Sequence, residues 1–367
     1  MLIYLFKTRT NKGMHAMNEL KSVDVFTSGQ DGFFAYRIPA LAVARDGTLL
    51  AFAEARKNHR GDPGTEGNEL HLVVKRSRDR GLTWSAMQVI EAPGELWSAG
   101  NPAAVCDRDT GRIWLHYLRC RPGRGSGQAR PGTDDIVNLV RYSDDAGATW
   151  SAPRDITDVC RDMDSPTWRC TVVGPGGGIQ DRHGRLVFAC WKQDEPRGVF
   201  ALFSDDRGQT WQRGACVPAA DPGANEDQVV ELADGRLLLD FRQSVGAHRW
   251  LATSEDGGCT WSEPYPGPVV TAVCCAIERF TLKGAGDEAD RLVWTGPRGP
   301  GRVDLVLRVS GDEGRTFSCE RLVAAGSAAY SDMERLDDGR IGVLWERDNY
   351  GFITFTPLDR AWILANG

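Results

Sequence analysis

The chain has 367 residues, and its 41% hydrophobic and 26% charged content is typical of a globular protein with an ample core. Its formal net charge of −6 argues against a surface that binds nucleic acid, so an acidic ligand would need a local cationic site. Because no run of about 18 apolar residues occurs, the sequence predicts no membrane-spanning helix.

The N-terminal residues 1–20 are predicted to be a poorly ordered polar tail. The apolar start of this tail, Met1–Phe6, is too short for the hydrophobic region of a secretion signal and is not followed by a cleavage site. The ten cysteines are scattered and include no Cys-x-x-Cys pair. This pattern favours free buried thiols and a reducing compartment, such as the cytoplasm.

One pattern, Ser-x-Asp-x-Gly-x-Thr-Trp, recurs with small changes five times along the chain. We call these segments the repeat turns, and they are Ser77–Trp84, Ser143–Trp150, Ser204–Trp211, Ser254–Trp261 and Ser310–Phe317. The carboxylate can accept N–H bonds from a tight turn, the glycine allows a positive φ, and the aromatic ring can fill an apolar gap. Because five near-identical copies cannot all be one active site, the pattern predicts repeated structural units.

A second, fainter repeat consists of short β-rich runs joined by hairpin turns. These turns are predicted at Asp46-Gly47, Thr110-Gly111, His183-Gly184, Asp234-Gly235 and Asp338-Gly339, with a degraded sixth at Glu288–Arg291. Six hairpins and five repeat turns predict an all-β fold, a six-bladed β-propeller with four-stranded antiparallel blades. We expect residues 21–367 to form this single domain, with a strand near Val23–Phe26 completing the last blade.

The direction of the strands predicts where the functional side chains lie. In an antiparallel blade the hairpin turns and the repeat turns share one end, so the starts of the first strands and the ends of the second strands converge at the other end. Charged and tyrosine side chains occur at those positions, among them Arg37, Glu54, Arg56, Glu226, Asp240, Arg242, Arg298, Arg302, Tyr330 and Glu346. Because several blades deliver them to one mouth of the ring, we expect a polar ligand site there.

Several segments carry a resemblance to one family. Tyr36–Pro39 reads Tyr-Arg-Ile-Pro, and Gly174–Ile179, Glu226–Leu232 and Tyr330-Ser331 form further conspicuous motifs. Together with the repeat turns, which are similar to "Asp boxes", these segments resemble the sialidases from about Val23 onward. The resemblance implies a bacterial-type exo-α-sialidase that removes terminal sialic acid from sialylated glycans with net retention and needs no cofactor.

The resemblance also implies roles for individual residues. Arg37, Arg242 and Arg302 would grip the substrate carboxylate, and Glu346 would orient Arg37. Tyr330 would be the nucleophile and Glu226 its general base. A neutral phenol suits this reaction because sialic acid carries a carboxylate on its anomeric carbon, which would repel an anionic Asp or Glu.

The acid/base group that protonates the leaving oxygen is expected on the loop of residues 60–69. Family position favours Asp62, with Glu66 and Glu69 as the alternatives. Arg56 is expected to touch either the substrate ring or Asp62. No metal is expected, because the six histidines show no zinc-binding spacing.

Other functions remain open on the sequence alone. One is a hydrolase for a related nonulosonic acid, such as deaminated sialic acid, or a transferase that uses an acceptor sugar in place of water. Another is a sialoside-binding propeller without turnover. The presence of Tyr330, Glu226 and a candidate acid argues against that last alternative, because a lectin needs none of the three.

Overall fold

A computed structural model describes residues 20–219, 223–244 and 246–365 of the chain. The predicted N-terminal tail lies outside these residues, apart from Leu20. The described chain is an all-β protein whose helices are short: α1 (Thr157–Cys160), α2 (Arg360–Leu364) and a 3-10 helix (Lys283–Ala285). None of the helices in these ranges is long and apolar enough to cross a membrane.

The strands of the first half of the chain are β1 (Val23–Thr27), β2 (Ala35–Val43), β3 (Leu49–Arg56), β4 (Leu70–Ser77), β5 (Gln88–Glu91), β6 (Ser98–Cys106), β7 (Ile113–Cys120), β8 (Ile136–Ser143), β9 (Arg154–Asp155), β10 (Cys170–Val173), β11 (Gly176–Gly177) and β12 (Ile179–Gln180). Those of the second half are β13 (Leu186–Gln193), β14 (Gly198–Ser204), β15 (Gln212–Arg213), β16 (Asn225–Glu231), β17 (Leu237–Arg242), β18 (His248–Ser254), β19 (Tyr265–Val269), β20 (Ala276–Thr281), β21 (Arg291–Pro297), β22 (Val303–Ser310), β23 (Cys319–Arg335), β24 (Ile341–Arg347) and β25 (Phe352–Leu358). Most are short, as expected for an all-β fold with frequent turns.

Hydrogen bonds join the described strands into curled, mainly antiparallel sheets. One sheet has the order β2-β3-β4-β6-β7-β8-β9, with β5 on β4 and β11 on β6, and another has β10-β13-β14-β15, with β12 on β13. A third has β16-β17-β18-β19, and the fourth has β1-β25-β24-β23-β22-β21-β20. In the fourth sheet β1 pairs antiparallel with β25, so the N-terminal strand adds to the last hairpin of the chain as expected.

The hairpins occur where the glycine pattern predicted them. The glycines of these turns have left-handed backbones, for example φ of 83° at Gly47 and 94° at Gly235, which other residues rarely adopt. β2 and β3 flank the first of these turns, and β16 and β17 flank the other. The hairpin interpretation of the Asp-Gly pattern is therefore confirmed.

The repeat turns are held by their own serine and aspartate, as the second of them illustrates. The Ser143 hydroxyl donates to Asp145 Oδ1 at 2.8 Å and accepts from the Gly147 N–H at 2.8 Å. The backbone N–H and hydroxyl of Thr149 donate to the two carboxylate oxygens of Asp145 at 2.8 and 2.7 Å. The carboxylate is thus used within the turn, which confirms the structural interpretation of the pattern.

Aromatic residues of the repeat turns connect neighbouring strand groups. The Trp150 ring packs against Phe52 of β3 at 5.8 Å between ring centroids, and Trp84 packs against Phe355 of β25 at 5.5 Å. The turns also contact hairpins, because Arg80 forms a 3.1 Å ion pair with Asp337 beside the β23–β24 turn. These contacts confirm that the repeat turns and the hairpin turns share one end of the strands.

The glycine-rich stretch Gly174–Gly178 separates three short strands, β10, β11 and β12, that follow one another closely in the chain. A side chain at Gly174 could not fit, because its Cβ would lie 1.9 Å from the carbonyl oxygen of Asp227. The stretch is therefore a place where two backbones meet closely.

The leading strands of successive hairpins pack against one another. β2 contacts β6 and β23, β12 contacts β6 and β16, and β20 contacts β16 and β23. Their starts therefore lie near each other, at the end opposite the hairpin turns.

The ten cysteines are all free thiols, which confirms the expectation that they form no disulfide framework.

The buried His116 of β7 provides a pH test of this packing. Its Nε2 lies 3.0 Å from Asn138 Oδ1, and burial lowers its pKa to about 4. Below the ordinary histidine pKa of about 6.5 the unfolded chain binds a proton at this histidine, whereas the folded chain does not. The free energy of unfolding therefore decreases as the pH is lowered. We expect the free energy of unfolding, measured with urea, to decrease by about 2 kcal/mol more in the wild type than in His116→Gln when the pH is lowered from 7 to 5.

The matched control for this experiment is His183→Gln, at an exposed hairpin position. It should follow the pH dependence of the wild type. If His116→Gln also follows the wild type, the buried neutral histidine does not contribute as described.

Candidate active site

The buried carboxylate of Glu346 lies at the centre of the convergent strand starts. It accepts bonds from Arg37 Nε at 2.6 Å and Nη2 at 3.3 Å, and from the backbone N–H groups of Ile38 at 2.9 Å and Tyr330 at 3.2 Å. Burial alone would lower the pKa of Arg37, but the charge and hydrogen bonds of Glu346 raise it above its ordinary value. Arg37 is therefore held as a fixed cation.

Tyr330, Glu226 and Arg242 form a second hydrogen-bonded cluster. The Tyr330 hydroxyl donates to Glu226 Oε1, and Arg242 Nη1 donates both to Glu226 Oε2 and, at 3.0 Å, to the Tyr330 oxygen. Burial raises the pKa of Tyr330 well above the usual value, and the negative charge of Glu226 raises it further, while Arg242 acts in the opposite direction. At neutral pH the cluster is a neutral phenol beside a carboxylate that can accept its proton.

The backbone at Glu226 is strained, and a buried arginine holds it in place. Glu226 has φ of 28°, and its carbonyl oxygen accepts a 3.2 Å bond from Nη2 of the fully buried Arg249. Arg249 Nε also donates to Asp240 Oδ1 at 2.7 Å, and Trp294 Nε1 donates to Asp240 Oδ2 at 3.0 Å. This buried ion pair fixes the peptide that carries the Glu226 side chain.

The third predicted arginine, Arg302, joins the cluster from the start of β22. Its Nη1 donates to the Tyr350 hydroxyl at 2.9 Å, and its Cζ lies 5.3 Å from the centroid of the Tyr330 ring. The Cζ of Arg37 lies at the same distance, 5.3 Å, from that ring. The structure thus brings all three predicted arginines around Tyr330.

Asp62 and Arg56 meet at the edge of the same site. Arg56 Nη1 donates to Asp62 Oδ1 at 3.0 Å, and the Arg56 Nη2 pairs with the buried Glu54 at 2.6 Å. The Asp62 side chain is 81% exposed, so it stands free to meet a ligand and water. Of the two contacts expected for Arg56, with Asp62 or with the substrate ring, the contact with Asp62 is present.

The two alternative acids do not face this site. Glu69 accepts bonds from His71 at 2.7 Å and from Lys57 at 3.1 Å, so its carboxylate is engaged by residues outside the site. Glu66 is exposed, and its backbone oxygen lies 3.2 Å from His59 Nε2. Of the three candidates, only Asp62 lines the cavity beside Tyr330.

A cavity of about 260 Å³ opens beside these residues. Asp62, Glu226 and Tyr330 form part of its wall, and its apolar lining includes Leu118, Ile136, Val172 and Trp191. A larger recess of about 560 Å³ lies at the hairpin end of the strands and contains none of the predicted site residues. The smaller cavity is therefore the candidate ligand site, because it combines an apolar wall with convergent polar groups.

Some residues of the site were not found from the sequence. Tyr350 bonds to Arg302, and Asn101 lines the cavity while its N–H donates to Glu54 at 2.8 Å. The sequence placed Glu54 at this mouth but did not indicate that it pairs with Arg56, although their two-residue spacing on β3 puts both side chains on one face. Among the described residues no cluster of His, Cys, Asp and Glu could hold a metal ion.

Comparison with known proteins identifies the family. Residues 47–343 match the family model of a BNR repeat-like domain. The chain is 32% identical to a sialidase of Micromonospora viridifaciens over 93% of its length, and 30% identical to Sialidase-2 of Cricetulus griseus, of which it covers 92%. The chain belongs to the sialidase family.

Relatives in this family differ in length. The chain spans 54% of the Micromonospora viridifaciens sialidase and 62% of a sialidase from Bacteroides fragilis. Among solved structures, the Hadza microbial sialidase Hz136 is similar over 94% of this chain and 69% of its own, with a TM-score of 0.82 and 28% identity. The intramolecular trans-sialidase of Ruminococcus gnavus has a TM-score of 0.80 at 17% identity and covers 94% of this chain and 98% of its own, which shows a shared fold.

The ion pair beneath Glu226 gives a stability prediction for this sialidase-family chain. Arg249→Met leaves Asp240 buried and without its charged partner, so we expect a loss of about 3–5 kcal/mol in the free energy of unfolding. Arg249→Lys keeps the charge but cannot reach all the acceptors of the guanidinium, and its loss should be smaller. Urea unfolding monitored by tryptophan fluorescence measures both.

The control is Arg112→Met, which breaks a 2.7 Å pair with Asp144 at the exposed hairpin end. Exposed pairs contribute at most about 1 kcal/mol, so this variant should stay close to the wild type. Equal losses for Arg249→Met and Arg112→Met would contradict the role given to the buried pair.

Proposed function

We propose that this protein is a retaining exo-α-sialidase that removes terminal sialic acid from glycoconjugates through a covalent intermediate on Tyr330. One observation carries the proposal: the Tyr330 hydroxyl donates to Glu226 and accepts a 3.0 Å bond from Arg242. A buried tyrosine with its own proton acceptor, surrounded by arginines, is suited to attack a sugar whose anomeric carbon bears a carboxylate.

In this proposal three guanidinium groups bind the substrate carboxylate. Arg37 and Arg302 both have their Cζ atoms 5.3 Å from the Tyr330 ring, and Arg242 bonds to the Tyr330 oxygen. A carboxylate seated among them would place its neighbouring carbon close to that oxygen. Guanidinium is suited to the task because it stays charged and binds a carboxylate in a fork.

The first step forms the covalent bond. The oxygen of Tyr330 bonds to the anomeric carbon while its proton passes to Glu226, and the bond from that carbon to the leaving oxygen breaks. An anionic nucleophile would be repelled by the substrate carboxylate, whereas the phenol is neutral because burial raises its pKa. Asp62 gives its proton to the leaving oxygen, so the aglycone departs as a neutral alcohol.

The second step reverses these proton transfers. The Asp62 carboxylate takes a proton from water, the water oxygen bonds to the anomeric carbon, and Tyr330 leaves and regains its proton from Glu226. Two displacements at one carbon give net retention. The exposure of Asp62 suits both roles, because this side chain must meet the aglycone first and water afterwards.

We also propose that the strands form six four-stranded blades in a closed propeller spanning residues 21–367. Support comes from the leading strands β2, β6, β12, β16, β20 and β23, which contact one another in turn around the molecule. The pairing of β1 with β25 supports closure of the last blade by the N-terminal strand. Closure would fix the distances between arginines that are delivered by different blades.

Release of 4-methylumbelliferone from its α-sialoside tests the proposed activity. We expect turnover by the wild type and a fall in kcat of about a thousandfold or more in Tyr330→Phe, because the nucleophile is lost. Tyr265→Phe, at an outer strand, is the matched control and should keep the wild-type rate.

If the wild type turns over neither this substrate nor its deaminated analogue, the hydrolase proposal fails. An undiminished rate in Tyr330→Phe would instead remove the nucleophile assignment. Proton NMR of the first sugar released should show the α anomer, and initial release of the β anomer would contradict the two-step mechanism.

A further inference from the structure

The turn between β24 and β25 has an unusual backbone. Asp348, Asn349 and Tyr350 are three consecutive residues with left-handed conformations, at φ of 49°, 54° and 67°. None is glycine, and Tyr350 has a bulky side chain for which this region is unfavourable. Such strain persists only where the surrounding structure imposes it, and it is concentrated at functional sites.

Neighbouring strands hold the turn in this conformation. Ser28, which follows β1, donates its hydroxyl to the Tyr350 carbonyl at 2.7 Å and its N–H to the Gly351 carbonyl at 2.9 Å. The Asn349 N–H donates to Ser327 Oγ of β23 at 3.0 Å. The turn is therefore fastened on two sides, and the direction of the Tyr350 side chain is fixed with it.

The Tyr350 side chain lies between two of the three clustered arginines. Its ring faces Arg37, whose Cζ lies 4.1 Å from the ring centroid, and its oxygen accepts the 2.9 Å bond from Arg302. Arg37 is also fixed by Glu346. By contrast, Arg302 has no carboxylate partner within the described ranges, and its other side-chain bond is a long one of 3.4 Å to the Ala272 carbonyl.

A tyrosine at this position has an electrostatic advantage over a carboxylate. Three guanidinium groups already face two carboxylates, Glu346 and Glu226, so the cluster keeps a net positive charge that can attract an anion. A further Asp or Glu on Arg302 would remove that charge and compete with the ligand. A phenol orients both arginines while remaining neutral, and its ring stabilises Arg37 through a cation–π contact.

We propose that Tyr350 is a fourth residue of the carboxylate site, which holds the Arg37 and Arg302 guanidinium groups in their fork and donates its hydroxyl proton to the bound carboxylate. The oxygen is already an acceptor for Arg302, so its own proton is free to point at a ligand. This inference rests on the proposed function, because it names a recognition element for the acidic sugar that the function requires.

Kinetics of Tyr350→Phe and Tyr350→Ala test this role. The Phe variant keeps the ring and loses the hydroxyl, so we expect KM for the fluorogenic sialoside to rise about tenfold to a hundredfold with kcat changed less than about threefold. The Ala variant also releases both arginines, and its KM should rise further. Tyr142→Phe is the matched control, because its ring stacks on Arg112 at 3.8 Å far from the site.

A binding measurement isolates the carboxylate. Calorimetry compares free sialic acid with its carboxyl methyl ester, which differ only at the group that Tyr350 is proposed to contact. The preference of the wild type for the acid should fall about tenfold or more in Tyr350→Phe and stay unchanged in Tyr142→Phe. A variant that was merely less well folded would lose both ligands together and keep the preference.

The outcomes separate this inference from the proposed function. An active wild type with unchanged KM and unchanged acid preference in Tyr350→Phe overturns the role of Tyr350 alone. A fall in kcat at constant KM also overturns it, because the residue would then act in the chemical step. A wild type that neither turns over the sialoside nor binds sialic acid overturns the proposed function, and this inference with it.

Discussion

The site depends on one buried carboxylate. Glu346 accepts hydrogen bonds from Arg37 and from the backbone of Ile38 and Tyr330, so a residue near the end of the chain fixes groups from its beginning and from β23. Buried ionised carboxylates are unfavourable without such partners. The partners are here the residues that the chemistry needs in place. The charge that stabilises this junction also keeps Arg37 ionised, because it raises the arginine pKa.

Around that junction, the charges are arranged so that two arginines are neutralised while the site keeps a net positive charge that can attract an anion. Glu346 and Glu226 each neutralise one arginine, while Arg302 is oriented by the neutral Tyr350. The strain at Glu226 is carried by a fully buried ion pair, Arg249–Asp240, which lies beneath the site. The groups that face a ligand are thus positioned by groups that do not face it, and the positioning does not consume the positive charge.

Much of this architecture is visible in the sequence because its local requirements are specific. A turn with positive φ favours glycine, so Gly47 and its equivalents marked the hairpins, and strand direction then assigned Arg37, Glu226 and Tyr330 to one end. Tyr350 could not be found this way, because its turn adopts left-handed conformations without glycine. From the sequence, Arg249 would be interpreted as a solvent-exposed arginine in a strand. Only the three-dimensional packing shows that it is fully buried.

In the proposed mechanism Tyr330 becomes covalently bonded to the anomeric carbon of an acidic sugar. The most direct measurement is mass spectrometry of proteolytic peptides after incubation with 2,3-difluorosialic acid, whose fluorine slows release of the sugar from the enzyme and lets the intermediate accumulate. We expect a peptide containing Tyr330 that carries the mass of the bound sugar, with fragmentation placing it on the phenol, and no such peptide in Tyr330→Phe. An adduct on Glu226 or Asp62, or turnover of the natural sialoside with no adduct on any residue, would contradict it.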